Sequence, residues 1–536
     1  MQKFHHNTVQ VQKPASIFLT LGMLLLFTLS AHSQEKKKVD ILRAGSLEQS
    51  QSIANAQRLL DSVIIRHENI LMYCDSAYTY EGTNRVDAFG HVHINQGDTL
   101  HLYARKVYYD GDKSFAQAIH NVKLVKREIT LYTDTLDYDM NLNIGYYDCS
   151  GKIVDSTNTL TSKIGQYYLN DDVVHFTDSV VGFNEKYTLN SEDIRYNTQT
   201  ELIEFSAPTT IQDSSNTLYA EEGWYNTITG DADLNKKPKI YNETQFLSAK
   251  KITSNKTSGD THAFGNVYLE DYENHSIVQG QKVDYNEKTE VAVVTDSAVF
   301  ISYSPTDSLF LHADTLQTMP DTIEGENIVK AHYGARFYRT DVQGICDSMI
   351  YFTKDSTVEL HNNPVLWSGI QQLSAENIKM IQHTNAPDEL RLYNNSFIIL
   401  EQDTGMFDQI KGKNMIGFVK NGELDYIDVD GNGQTLYYAR EKEEIIGLNR
   451  AESSNISIRF QEGKIHKIAF QKQPEGELTP LADVTENKKK LSNFNWQIEL
   501  RPVSKDDIFR KTEKVKPVQE EPQKANAKSM PRLGVQ

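Results

Sequence analysis

A tyrosine recurs every 29 residues in this chain, at Tyr80, Tyr109, Tyr138, Tyr167, Tyr196 and Tyr225. A leucine stands seven residues before each of the last five, at Leu102, Leu131, Leu160, Leu189 and Leu218. Scattering 28 tyrosines over 536 residues does not place six on one period. Leu247 keeps the leucine register and Ser254 breaks the tyrosine series; Val278 and Tyr285 then resume the seven-residue offset after a two-residue insertion. A unit this short cannot bury its own apolar face, so the units must stack on one another.

The unit itself reads as β. Leu100, Leu102 and Ala104 alternate as a strand, and Val107 and Tyr109 continue it with a shift of face. Asp110-Gly111-Asp112 is a turn, and Phe115 to Ala118 and Val122 to Val125 are two further short strands. Each repeat is thus expected to hold strands of four to six residues, cornered by Asp, Asn, Gly, Thr and Ser, which tolerate turning backbone. Helical periodicity is nearly absent; Ser46 to Leu60 alone predicts a few helical turns. Some twelve units at about 4.8 Å per rung give a stack on the order of 60 Å long. Leu102, Ala104, Tyr109, Leu131, Tyr138, Leu160, Tyr167, Leu189, Tyr196, Leu218 and Tyr225 then form ladders along the inner wall. Two readings of these ladders stay open: a core that only holds the stack together, or the lining of an apolar groove.

The flanks divide the chain further. Lys3 and Lys13 precede an apolar run from Ile17 to Leu29, and Ala31-His32-Ser33 offers small residues for cleavage. This predicts an export signal over 1–33, because the run is too short for the roughly 20 residues of a spanning helix. A lead-in follows over 34–70, then the repeat stack over 71–300, with the strict register to about 253. Its continuation, with insertions, is expected over 301–470, a linker (Pro474 to Pro480) and cap over 471–504, and a charged, solvated tail over 505–536.

Composition and motifs narrow the function. The chain has 55 basic and 73 acidic residues, a net of −18 that repels nucleic acid. Cys74, Cys149 and Cys346 are an odd number and read as small buried strand residues. Asp428-Val429-Asp430-Gly431-Asn432-Gly433 resembles the start of a calcium loop, but Ala439 stands where that loop needs Glu, so a β-turn is expected. His91 and His93 share a strand face without an evident third ligand. No nucleophile elbow, zincin helix or phosphate loop is present. The reading is a non-catalytic protein with no cofactor and no metal site.

Several segments carry a family resemblance. They are Asp75-Ser76-Ala77-Tyr78-Thr79-Tyr80, Val86-Asp87-Ala88-Phe89-Gly90-His91-Val92, Gly97-Asp98-Thr99-Leu100 and Tyr103-Ala104-Arg105-Lys106-Val107-Tyr108-Tyr109-Asp110. Together they resemble the module of the OstA-like, or organic-solvent-tolerance, family. Cys74 stands where that family often has Ala, and His91 where it often has Asn. Ala263-Phe264-Gly265-Asn266-Val267, Leu311-His312-Ala313-Asp314 and Leu373-Ser374-Ala375-Glu376 restore the usual form. The resemblance spans roughly 60 to 440 and is best over 70 to 125. It implies an elongated, open-ended β-jelly-roll or V-shaped β-solenoid. Its ligand would be lipopolysaccharide, held by the acyl chains, in the periplasm. Its partners would be other lipopolysaccharide-transport proteins, or further copies of itself head to tail, joined by end-to-end strand pairing. The chain departs from the family's bridge proteins in being much longer. Two other functions fit the repeat alone: a structural or adhesive envelope solenoid, and a β-helix carbohydrate enzyme with clustered carboxylates.

Overall fold

The computed structural model describes residues 38–510, apart from 51–52, 98, 306, 321–326, 355, 384–385, 421–422, 442–443 and 462. The expected signal over 1–33 and most of the expected tail lie outside the described residues. Among the described residues there are 38 strands in one antiparallel sheet, no α-helix, and four short 3-10 segments between Leu481 and Phe509. Among the described residues no helix is long and apolar enough to cross a membrane.

Consecutive strands pair as a meander. Ala56–His67, Ile70–Tyr80, Arg85–Gln96, Leu100–Asp110, Phe115–Lys126 and Ile129–Asp139 each bond to the next. A 29-residue repeat is therefore a hairpin of two strands, not one coil of a solenoid. It adds two layers to the stack, so the length expected from one rung per repeat was half of what forms. Some 28 layers at about 4.8 Å extend on the order of 130 Å.

Every second strand bends at its middle. Two successive residues with positive φ sit there, as at Asp61–Ser62, Gly90–His91, His120–Asn121, Asp178–Ser179, Gly265–Asn266 and Asp296–Ser297. Gly90 and His91 oppose the single residue Arg105 in the pairing, which makes the corner a β-bulge. Most of these positions are Asp, Asn, Ser or Gly, which visit that conformation at least cost. The partner strand absorbs the extra residue by switching parity: Leu102 and Ala104 point inward before Arg105, Val107 and Tyr109 after it. This is the face shift visible in the sequence. The short strands expected on either side of a corner are halves of one bent strand over much of the stack, and separate three- to five-residue strands over 144–168, 202–255 and 357–381.

The bend folds one half of each strand over the other. The result is an elongated, open-ended jelly-roll of two wings that meet along the column of corners. One wing carries the leucine ladder and the other the tyrosine ladder. Their inner faces share one continuous apolar core running from Leu59 to Phe460.

Three local expectations fail. Ser46 to Leu60 is not helical; Ser46–Gln49 pairs with Ala56–His67, because the neighbouring strand edge offers that backbone better partners than an isolated short helix would have. Pro474 to Pro480 is not a linker, since Glu475–Pro480 pairs with the strand Glu444–Gln461. Lys505 to Arg510 is not a loose tail: Ile508 is buried and the Phe509 ring lies 4.8 Å from that of His312.

Residues 481–510 form a strap across the outer face of the leucine wing, running back from the far end of the stack. Buried glutamine side chains hold it. Gln409 accepts from Leu491 N at 2.8 Å and donates to Lys489 O at 2.7 Å. Gln372 does the same with Gln497 N and Asn495 O, both at 2.7 Å. Arg501 Nε donates to Gln343 at 2.8 Å, and Arg336 donates to Leu500 O at 3.0 Å. Under the strap a second apolar cluster forms from Phe397, Ile399, Leu436, Tyr438, Leu448 and Leu491.

Candidate functional site: an apolar groove between the wings

The two ladders become columns once the pairing is followed across strands. In the leucine wing Leu102, Leu124, Leu131, Ile153, Leu160, Gly182, Leu189, Ile211 and Leu218 stand directly opposite one another in succession. In the tyrosine wing each tyrosine alternates with a smaller residue: Tyr109, Ala116, Tyr138, Gly145, Tyr167, Val174, Tyr196, Ile203, Tyr225 and Ala232. That alternation leaves room for one ring on every second layer and fills the space between the wings.

Over these layers the mouth between the wings is also clasped by polar contacts. The Tyr109 hydroxyl lies 2.6 Å from His67 Nδ1. Tyr138 donates to Gln96 Oε1 at 2.8 Å. Lys126 Nζ reaches Asp172 at 2.5 Å and also donates to Leu169 O. Tyr196 donates to Asp155 Oδ2 at 2.6 Å, and Tyr187 to Asn158 Oδ1 at 3.1 Å. Burial holds the hydroxyls of Tyr109, Tyr138, Tyr167, Tyr187 and Tyr196 far above the ordinary phenol range, so they stay neutral.

Beyond Tyr225 the same columns stop filling the space. The tyrosine column continues as Ala232, Ser254, Thr261, Tyr285, Ala292, Thr318, Val329 and Tyr351. The opposite column continues as Ile240, Leu247, Leu269, Val278 and Phe300. Between them lies a cavity of about 850 Å³ that opens at the mouth. Tyr187 against Tyr225 (5.6 Å between centroids) bounds one end, and Phe300 against Tyr351 (6.5 Å) the other. Here the leucine-wing turns satisfy themselves. Asp213 Oδ1 accepts from Asn216 N at 2.7 Å, Asn242 Oδ1 from Gln245 N at 2.7 Å, and Asp271 Oδ1 from Asn274 N at 2.9 Å. Ile240, Leu247 and Leu269 are only half-buried, and Tyr285 is 37% exposed. The floor is apolar with a small hydroxyl patch, where Thr261 Oγ1 donates to Ser254 Oγ at 3.3 Å.

Of the residues singled out from the sequence, Leu218 and Tyr225 line this cavity. Leu102, Ala104, Tyr109, Leu131, Tyr138, Leu160, Tyr167, Leu189 and Tyr196 face inward but are packed against one another in the filled layers. The lining residues Ile240, Leu247, Ser254, Leu269, Val283 and Tyr285 were missed. The signal was present: the cavity opens where Ser254 replaces the next tyrosine and two residues are inserted.

The other candidates resolve as structure. The strand Glu423–Glu441 runs straight through the calcium-like segment, and Gly431–Asn432 is a corner rather than a β-turn. Asp428 accepts from Ser457 Oγ at 2.6 Å and Asp430 from Asn455 at 2.8 Å, so both carboxylates serve the neighbouring strand. His91 pairs with Asp75 at 2.8 Å, while His93 stacks on Tyr103 at 4.4 Å; the corner between them sends each to different neighbours. Cys74 and Cys346 are buried strand residues, but Cys149 is exposed beside a corner. Among the described residues no three His, Cys, Asp or Glu side chains gather as a metal site.

Comparison with known proteins adds the following. Residues 36–193 match the model of the OstA-like protein family. The match ends well before residue 440, to which the motifs recur in sequence. One similar solved structure is LptH from Pseudomonas aeruginosa, described as the LptA-homologous periplasmic component of the conserved lipopolysaccharide transport device. It is 16% identical, the alignment covers 22% of this chain and 81% of that one, and the TM-score is 0.20. No curated protein matches.

Proposed function

We propose that this chain, OstA-like over residues 36–193, is a periplasmic lipopolysaccharide-binding protein that shields acyl chains in the groove between its wings during outer-membrane assembly. The observation that carries the reading is the open cavity, apolar at its floor and polar at its rim, between wings that are packed together in the layers before it. Acyl chains gain roughly 0.8 kcal/mol for each CH₂ buried, and a wall of Leu, Ile, Val and Phe binds them without a dedicated polar residue. Sugars and phosphates stay at the mouth in water. Binding of this kind needs no catalytic group, and the reading is of a carrier rather than an enzyme.

The ends of the stack suit assembly with other transport proteins or with further copies of the chain. At one end Asp40–Arg43 and Ser46–Gln49 pair on one side only and expose Ile41, Leu42 and Leu47. At the other, Lys464–Gln471 and Glu475–Pro480 are edge strands with Leu478 exposed. Unpaired backbone of this kind accepts an added strand.

The test is photo-crosslinking in cells, with a crosslinker replacing Leu247, Leu269 or Val283 in the groove and Leu131 or Tyr138 in the filled layers. Lipopolysaccharide adducts are expected at the groove positions and not at the filled ones. A folded protein with no adduct at any groove position sinks the reading.

A further inference from the structure

His93, singled out in the sequence beside His91, finds its partner on the next strand. The corner at Gly90–His91 turns His91 toward Asp75, while His93 Nε2 lies 3.1 Å from His101 Nδ1. His91, His120, His175 and His262 each face a carboxylate, at 2.8, 3.4, 2.9 and 2.6 Å. His93 and His101 face each other. At that distance one ring donates its N–H to the lone pair of the other, so two imidazole nitrogens are turned toward one point.

The pair sits on the outer face of the leucine wing, in the filled layers, and neither ring lines the groove. His93 belongs to Arg85–Gln96 and His101 to Leu100–Asp110. In their pairing His93 stands opposite Tyr103 and Asn95 opposite His101, so the imidazoles meet on the diagonal of a four-residue patch. Ring packing fixes them. The His93 ring lies between that of Tyr73 (5.6 Å between centroids, 20° between planes) and that of Tyr103 (4.4 Å, 6°). The His101 ring is 6.4 Å from Tyr103. Both histidines are half-buried, so solvent still reaches them. The remaining corner of the patch is Asn95, whose buried Oδ1 has no hydrogen-bond partner among the described residues. A dry, unpaired carbonyl oxygen is costly, and a cation beside it relieves the cost.

The separation of the two nitrogens fits coordination. Imidazole nitrogens bound at roughly 2.0–2.1 Å, at angles between octahedral and tetrahedral, stand about 2.8–3.4 Å apart. The 3.1 Å between His93 and His101 falls within that span. Imidazole selects transition ions over magnesium and calcium, which prefer oxygen.

We infer that His93 and His101 bind a divalent transition ion, zinc or copper, with Asn95 Oδ1 as a weaker third donor and water completing the shell. The ion takes the place of the proton that the two rings share and ties two neighbouring strands together on the outer face. The set is two histidines and an amide, so no trio of His, Cys, Asp or Glu marks it. It stands apart from the groove and holds or fails independently of lipid binding.

The test titrates the untagged full chain with Zn²⁺ by calorimetry, beside His93→Gln, His101→Gln and His91→Gln. The parent is expected to bind an equivalent that each of the first two variants weakens by at least about tenfold, and that His91→Gln leaves unchanged. Excess Ca²⁺ is expected not to displace it. Hydrogen exchange locates the ion: Zn²⁺ is expected to slow exchange across Arg85–Gln96 and Leu100–Asp110 in the parent and not in His93→Gln or His101→Gln. The same strands, followed without metal, show whether those variants keep the fold. Zinc binding that is equal in the parent and in both variants, or no bound equivalent in the parent, overturns the site and leaves only a hydrogen bond between two imidazoles. Asn95→Ala is expected to weaken zinc a few-fold, and unchanged affinity removes the amide from the shell.

Discussion

The layers from Ala56 to Gln212 and those from Thr217 to Phe352 are built on the same two columns, yet the first are filled and the second hold a groove. Strand pairing and corner bulges do not differ in kind between them. What differs is a few column residues and a two-residue insertion. In the filled layers a tyrosine on every second strand occupies the interior, and its hydroxyl closes the mouth on His67, Gln96 or Asp155. In the open layers Ser254, Thr261 and Thr318 take up less space. One repeat thus serves as core or as container, depending on whether its own side chains occupy the interior.

The largest effect expected from this difference is in truncation energies. Leu131 and Leu247 occupy the same column, but Leu131 is fully buried and Leu247 half-buried beside the cavity. Leu131→Ala is expected to cost about 3–5 kcal/mol and Leu247→Ala about 1–2 kcal/mol, because the second leaves few lost contacts and no new void. Hydrogen exchange across the flanking strands measures both locally, which suits a stack whose layers interact mainly with their neighbours. Equal costs would break the comparison.

The strap-covered layers extend the contrast, since they are sealed from outside as well. In these layers Asp408 is 5% exposed, with Oδ1 accepting from Tyr438 N at 2.9 Å. Burial pushes its carboxyl up to about 6. A carboxyl raised in the folded state costs nothing where both states are protonated and exacts its full cost where both are ionised. Its charged form therefore weighs against folding above pH 6, and that cost fades as pH falls through 6 toward about 4. Asp408→Asn is expected to be more stable than the parent by up to about 3 kcal/mol above pH 6, the difference shrinking toward pH 4. Denaturant melts at several pH values read it, and a pH-independent difference would show that the Asp408 carboxylate stays hydrated. Next in size is Ser254→Tyr, which restores the missing ring. Fatty-acid uptake is expected to fall about tenfold, roughly 1.4 kcal/mol, with no loss of stability. Undiminished uptake would mean that the ligand does not lie against this column.

The stack and its inward columns were legible because a residue pinned to one side of a repeated layer must recur at the repeat length, as Leu102 to Leu218 and Tyr109 to Tyr225 do. The topology was not. A coil and a bent hairpin of 29 residues both alternate in and out, and only the pairing of Leu102 with Leu124 shows that the chain turns back. The groove was legible only as a gap in the series at Ser254, and a missing side chain was read as a lapse in register rather than as space. The strap was legible only as a cap over 471–504; its path was not, because Gln343, Gln372 and Gln409 bind it through side-chain amides and follow no apolar period.

The smallest effect separates a clasp from a mere filler. Tyr138 donates to Gln96 and lies 3.0 Å from Asn143 Oδ1, whereas the Tyr285 ring is partly open to solvent. Tyr138→Phe keeps the ring and removes only the hydroxyl, leaving the Gln96 carbonyl unpaired at the mouth. A cost of about 1 kcal/mol is expected there, and no more than about 0.3 kcal/mol for Tyr285→Phe, whose hydroxyl exchanges protein for water. Local hydrogen exchange resolves the two. If Tyr138→Phe costs nothing, ring packing alone closes the first half, and the polar contacts across the mouth follow closure rather than hold it.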